Sequence, residues 1–174
     1  VVAFVTALVP LLVAIANADY LHHLYGETLA YTPIVGELYI WLGGFALFAF
    51  LTTIAREMMK DIEDIEGDRE MECRTMPIVW GVRTSQIIIT LLLGCTAILV
   101  GYINFFVLPF PHDWQTFSTR YAVFGLIVPI ICAITLMWAA KNQLELHRAQ
   151  LITKFVMFMG TMYSFVIHQN LLTF

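Results

Sequence analysis

The chain has 174 residues, enough for one ordinary core, but 60% of them are hydrophobic, 13% are charged and the mean hydropathy is +0.80. That balance excludes a soluble globular domain, and a formal net charge of −4 offers no basic surface for nucleic acid. The charge is also unevenly placed, with eight of the thirteen carboxylates lying between Glu57 and Glu72.

Long apolar runs occupy Val1 to Ala16, Leu38 to Ala55, Ile87 to Phe110, Tyr121 to Ala140 and Leu151 to Ile167. Each is close to the ~17–25 residues a spanning helix needs. None alternates with a period of two, so the expected fold is an all-α polytopic transmembrane bundle of five spans forming a single membrane domain over residues 1–174. The first residue is not Met and no basic segment precedes the first apolar run, so this run is expected to be a span of a truncated chain, not a signal peptide.

Pro10 is placed to kink the first span, and Pro109 and Pro111 flank the expected end of the third. Tyr39, Trp41, Trp114, Phe117 and Trp138 fall at expected membrane interfaces, with Trp114 and Phe117 in a loop between the third and fourth spans. Cys73, Cys95 and Cys132 show no metal or redox spacing and read as free structural thiols. His22 and His23 are adjacent, about 100° apart on any helix, and read as an outer-loop pair. His112 and His168 have no partner in sequence, and Glu145, His147 and Arg148 read as a solvated interface facing the acidic stretch's side.

The basic residues fix an orientation. Arg56, Lys60, Arg69, Arg74 and Arg83 lie between the second and third spans, and Lys141, Arg148 and Lys154 between the fourth and fifth. Only Arg120 falls elsewhere, so eight of nine basic residues sit on alternate loops, which assigns those loops to the cytoplasm. The expected location is the plasma (inner) membrane, with the acidic stretch cytoplasmic.

That stretch reads REMMKDIEDIEGDREMECRTMPIVWG, Arg56 to Gly81. No Gly or Pro separates Phe45 from the acids, so the second span is expected to run on as a helix to near Gly67. On it Glu57, Asp61, Asp64 and Asp68 recur at intervals of 4, 3 and 4 and share a face, provided the helix survives Gly67 for the last of them. Glu63, Glu66 and Glu70 form a second, solvated row. Eight acids against Lys60 and Arg69 give a net −6 in 16 residues, which costs helix stability unless a cation neutralises it. Juxtamembrane segments on this side ordinarily favour basic residues. Carboxylates on one face suit a hard divalent ion, and Mg2+ is commonly shared between one or two carboxylates and a phosphate. An EF-hand does not fit, because aligning Gly67 with its invariant glycine puts Ile62 and Cys73 at the terminal ligand positions.

REMMKDIEDIEGDRE with RTMP resembles the second aspartate-rich motif of the UbiA-type membrane prenyltransferases, with Asp61, Asp64 and Asp68 on its DxxDxxxD pattern. Within that superfamily it is most similar to geranylgeranylglycerol-phosphate geranylgeranyltransferases. The resemblance implies a nine-span fold, of which the chain would supply the C-terminal five. It implies Mg2+ held by Asp61, Asp64 and Asp68, with Glu57 as a further candidate, and a polyprenyl diphosphate donor, geranylgeranyl for the closest group. Arg74, Lys60 and Arg56 would contact the diphosphate, and a lipid or aromatic hydrophobic acceptor would capture the allylic cation. The family's first aspartate-rich motif has no match: NADYLHHL at Asn17 lies on the opposite side and lacks a second Asp. The chain alone is therefore expected to be inactive.

Two other function classes remain open on the residues. A cation-handling membrane protein would carry acids within its spans, and there are none between Leu38 and Ala55 or between Ile87 and Phe110. A non-catalytic subunit of a larger membrane complex would keep the motif without binding a prenyl diphosphate.

Overall fold

A computed structural model describes residues 34–107 and 112–171, and in these it contains helices, short turns and no strand. The expected first span and the His22 and His23 pair lie outside the described residues. Contacts divide the chain into two compact units, residues 1–50 and 51–174, and the acidic stretch belongs to the second.

Helix α1, Ile34–Glu63, has 30 residues. At 1.5 Å per residue it is about 45 Å long, against about 30 Å of bilayer hydrocarbon, so its charged last turns extend beyond the apolar run that ends at Ala55. Two short helices follow, α2 (Ile65–Glu70) and α3 (Met76–Trp80). Helix α4, Val82–Tyr102, ends in a π-helical turn at Ile103–Val107. A continuous helical rod then comprises α5 (His112–Tyr121), a π-helical turn (Ala122–Ile127) and α6 (Val128–Ala139). The last helix, α7, runs Gln143–Leu171.

The stretch expected as a loop around Trp114 and Phe117 is instead helical, and the rod starts nine residues before the apolar run at Tyr121. Pro129 explains the π-helical turn: it has no N–H for the carbonyl of Gly125, and its ring crowds that carbonyl, so the preceding turn widens.

Two segments are long and apolar enough to cross a membrane, Val82–Phe106 with 25 residues and Phe117–Ala139 with 23. Their outward faces carry Leu91, Ile98, Phe106 and Phe124, all exposed, as lipid contact requires. Inward, Ile89, Leu93, Leu126, Ile130, Met137 and Val156 are fully buried, and α6 packs chiefly on α7. Small polar residues inside the apolar helices satisfy themselves: Ser85, Thr90, Thr96 and Thr153 each donate to the carbonyl four residues back. Thr90 also accepts from Trp138 Nε1 at 2.9 Å, and the Thr153 hydroxyl lies 3.7 Å from the Met59 sulfur, so two of them reach a neighbouring helix as well.

A further buried polar cluster also bridges helices. The Tyr163 and Ser118 hydroxyls share a hydrogen bond at 2.7 Å, Asn104 Nδ2 donates to Tyr163 at 3.5 Å, and the Tyr163 ring stacks on Tyr121, 5.5 Å between centroids. Tyr121 in turn donates to the Met159 carbonyl at 2.9 Å. Tyr163→Phe keeps the stacking and removes the shared hydroxyl. It is expected to cost about 1 kcal/mol, as interhelical hydrogen bonds in membranes do, read as a lower melting temperature in detergent. An unchanged melting temperature would show that the hydroxyl only fills space.

Candidate diphosphate and metal site

The helix does survive Gly67. Asp64 is a turn residue between α1 and α2, yet its N–H donates to the Lys60 carbonyl and its carbonyl accepts from Asp68 N–H, both at 2.9 Å, so the helical path is unbroken. Asp61, Asp64 and Asp68 therefore lie within about 60° of one another around the axis. The stop comes at Glu72, in the left-handed region at φ 56. Cys73 N–H donates to the Asp68 carbonyl (2.9 Å) and Glu72 N–H to Arg69 (3.3 Å), which is a Schellman closure. Glycine normally takes that position, and the sequence offers Gly67, not Glu72, as the glycine of this segment. The closure ties down the backbone of Asp68, the outermost member of the row.

The chain then passes Arg74, which is exposed, to Thr75 at the N-cap position of α3. The Thr75 carbonyl accepts from Ile78 and Val79, while its hydroxyl is buried without a partner. Gly81, at φ 88, turns the chain into α4 in a conformation open to glycine alone.

Among the described residues the ion pairs are Arg56 with Glu57 and His147 with Glu63. Arg56 and Glu57, expected at the diphosphate and the metal respectively, thus neutralise each other. Among the described residues Asp61, Asp64 and Asp68 have no ion pair, and Lys60 and Arg74 have none either. Asp61 lies beyond the apolar run. Its carboxyl is held above the ordinary aspartate value by partial burial first, then by the negative charges of Asp68, Glu57 and Asp64, with Lys60 opposing them. No three acid, His or Cys side chains among the described residues are gathered into a ready-made metal cage. An edge of unneutralised carboxylates suits Mg2+, which takes one or two carboxylates and completes its shell with phosphate and water.

The sign of the pH dependence follows from the raised value. As pH rises past about 3.9 the unfolded aspartate ionises first, so stability falls until the folded group ionises too and stays lower above that. In EDTA the melting temperature of Asp61→Asn relative to wild type is therefore expected to rise as pH increases through the aspartate range. An Asp61→Asn profile parallel to wild type would remove Asp61 as a source of the strain.

Glu63 departs from the solvated row in which spacing places it. One carboxylate oxygen lies 3.1 Å from His147 Nδ1 and the other accepts from Gln150 Nε2, both partners on α7. His147 is thus more than a solvated interface residue. No sequence signal pairs residues 84 and 87 positions apart. A cavity of about 180 Å3, walled by Ile62, Val82, Gln86, Met137, Lys141 and Leu146, lies on a third side of α1 and includes none of the three aspartates.

The UbiA prenyltransferase family model matches residues 1–162. The chain is 34% identical over 102 residues to the digeranylgeranylglyceryl phosphate synthase of Methanosphaera stadtmanae, covering 58% of this chain and 35% of that protein. It is 30% identical over 135 residues to the enzyme of the same name from Thermococcus onnurineus, covering 75% of this chain and 46% of the relative. Over a 59-residue segment, identity to the Thermococcus sibiricus enzyme reaches 52%, covering 32% of this chain and 21% of the relative. The chain thus spans less than half the length of these relatives. No solved structure matches. The all-helical bundle, its lipid-facing apolar helices and the family match agree: the chain belongs to the UbiA prenyltransferase family, whose fold is a helical membrane bundle.

Proposed function

We propose that the protein transfers a geranylgeranyl group from its diphosphate to geranylgeranylglyceryl phosphate within the membrane, forming an ether lipid. The observation that carries this reading is the row of Asp61, Asp64 and Asp68, held on one helix edge just beyond an apolar run and without ion pairs among the described residues. The relatives are digeranylgeranylglyceryl phosphate synthases, and a product of that name is what this donor and acceptor would give. No acid lies within the apolar runs, which disfavours a cation pathway.

In this reading the three aspartates hold Mg2+, which when bound neutralises the departing diphosphate. Lys60 and Arg74 supply further positive charge to it, with Arg56 available if its pairing with Glu57 opens. The apolar helices hold the prenyl chain and keep water from the allylic cation. A row on a single edge reaches a diphosphate from one side, so a second metal-holding or cationic element of the whole protein completes the site. Association with a larger membrane complex is compatible with this chemistry and is not required by it.

Membranes carrying the whole protein, supplied with labelled geranylgeranyl diphosphate, geranylgeranylglyceryl phosphate and Mg2+, should yield a doubly prenylated product. Donor consumption with an aromatic acceptor alone would move the protein to another branch of the family, and no transfer to either acceptor would overturn the reading.

The site is proposed to face the cytoplasm of the plasma (inner) membrane. Besides the basic-residue count, the contacts of Glu63 with His147 and Gln150 bring the end of α1 and the start of α7 to one side of the bundle. Single cysteines at Glu70 and Gln143, both exposed, should be labelled by a reagent confined to the cytoplasm, and cysteines at Gly26 and Trp114 should not. Labelling of Gly26 and Glu70 from the same side would refute the orientation.

A further inference from the structure

We infer that Glu63, held by His147 and Gln150 of α7, is the positioning residue that sets the rotation of the Asp61, Asp64 and Asp68 row about the helix axis. Taking 100° per residue, Glu63 points about 130° away from the middle of that row, toward α7. A contact there fixes where the row faces without occupying it.

Apart from the buried Ile62 beside it and the backbone closure at Glu72, the outer acidic segment has little else to hold it. Helix α2, which carries Asp68, buries no residue. Its like-charged neighbours at three and four residues oppose the helix. One turn before Glu63 on the same ridge, Met59 is fully buried and the Thr153 hydroxyl lies 3.7 Å from its sulfur. One turn after it the ridge reaches Gly67, which has no side chain to continue the contact and nothing within 4 Å of where one would begin. Glu63 is thus the last hold on this ridge before the outer half of the row. The hold is two-pronged, since each carboxylate oxygen has its own partner, and it is stiff on the α7 side because Gln150 is only 4% exposed. A single hydrogen bond would let the helix roll about it, whereas two divergent ones do not.

What the row does rests on the prenyl-transfer reading; how it is held does not, and the test separates the two. In the purified whole protein, binding of Mn2+ in the presence of inorganic pyrophosphate is followed by electron paramagnetic resonance, alongside transfer rate against Mg2+ concentration and the melting temperature. Glu63→Ala and Gln150→Leu are expected to weaken Mn2+ binding roughly 10-fold or more, the usual effect of losing a group that orients metal ligands without touching the metal. The Mg2+ concentration for half-maximal rate should rise in parallel. Glu63→Gln, which can still accept one of the two bonds, should recover most of both. If wild type binds Mn2+ but transfers nothing, while the two variants bind it weakly, the positioning stands and the transfer reading falls. If wild type transfers while the variants melt lower yet keep wild-type Mn2+ affinity and Mg2+ dependence, Glu63 is merely structural and the inference is overturned. Failure of wild type to bind Mn2+ overturns it as well.

Discussion

Asp61→Asn or Asp68→Asn in the whole protein is expected to lower turnover at least ~100-fold, about 2.7 kcal/mol of transition-state stabilisation. Asparagine keeps the shape of the side chain and its place on the helix, so the loss reports the charge. Glu66→Gln and Glu70→Gln, within the same segment, are expected to change turnover less than about twofold, because on the helix they point roughly 150° or more away from the row. Both are exposed, and neither takes part in an ion pair among the described residues. Turnover with purified enzyme at saturating donor checks the contrast. Equal losses in the two sets would mean that the segment acts through bulk negative charge, and that the row has no separate role.

Much of this contrast is legible in the sequence, because helical period and charge are local properties. The spacing of Asp61, Asp64 and Asp68 needs only an unbroken helix, and the absence of Gly or Pro from Phe45 to Gly67 predicts one that far. Its continuation to Glu70 depends on backbone hydrogen bonds through Asp64 and on a left-handed Glu72, a position for which glycine is the usual signal. Long helices are also legible from apolar runs, but their ends are not. The helix around Trp114 was hidden by a polar, proline-flanked stretch that reads as a loop, and the π-helical turn before Pro129 comes from a carbonyl left without its donor. The contacts of Glu63 lie beyond any local rule. His147 and Gln150 are brought to it by packing of α7, and the same glutamate would read as solvated on any isolated helix. The pairing of Arg56 with Glu57 is likewise a choice of side-chain partners among several nearby charges, which spacing does not decide.

Removing the divalent ion is expected to do more than any single substitution, because it exposes the whole row at once. Asp61 is held above its ordinary value by burial and by Asp68, Glu57 and Asp64, so the segment already resists its own charge without a ligand. An anionic diphosphate brought to that edge adds like charge to a segment that carries a net −6 between Glu57 and Glu72 with Lys60 already counted, and Arg74 alone is too little to offset it. EDTA should therefore abolish transfer to background, and Mg2+ or Mn2+ should restore it. A monovalent salt at equal ionic strength should not, since screening weakens repulsion between exposed charges without bridging carboxylate to phosphate. The same substitution then has opposite signs in two assays. Asp61→Asn relieves repulsion and raises the melting temperature of the EDTA-treated protein, yet it diminishes the further rise that Mg2+ with pyrophosphate gives to wild type. Transfer that persists in EDTA, or a wild-type melting temperature indifferent to Mg2+ and pyrophosphate, would leave the aspartate row without its proposed metal.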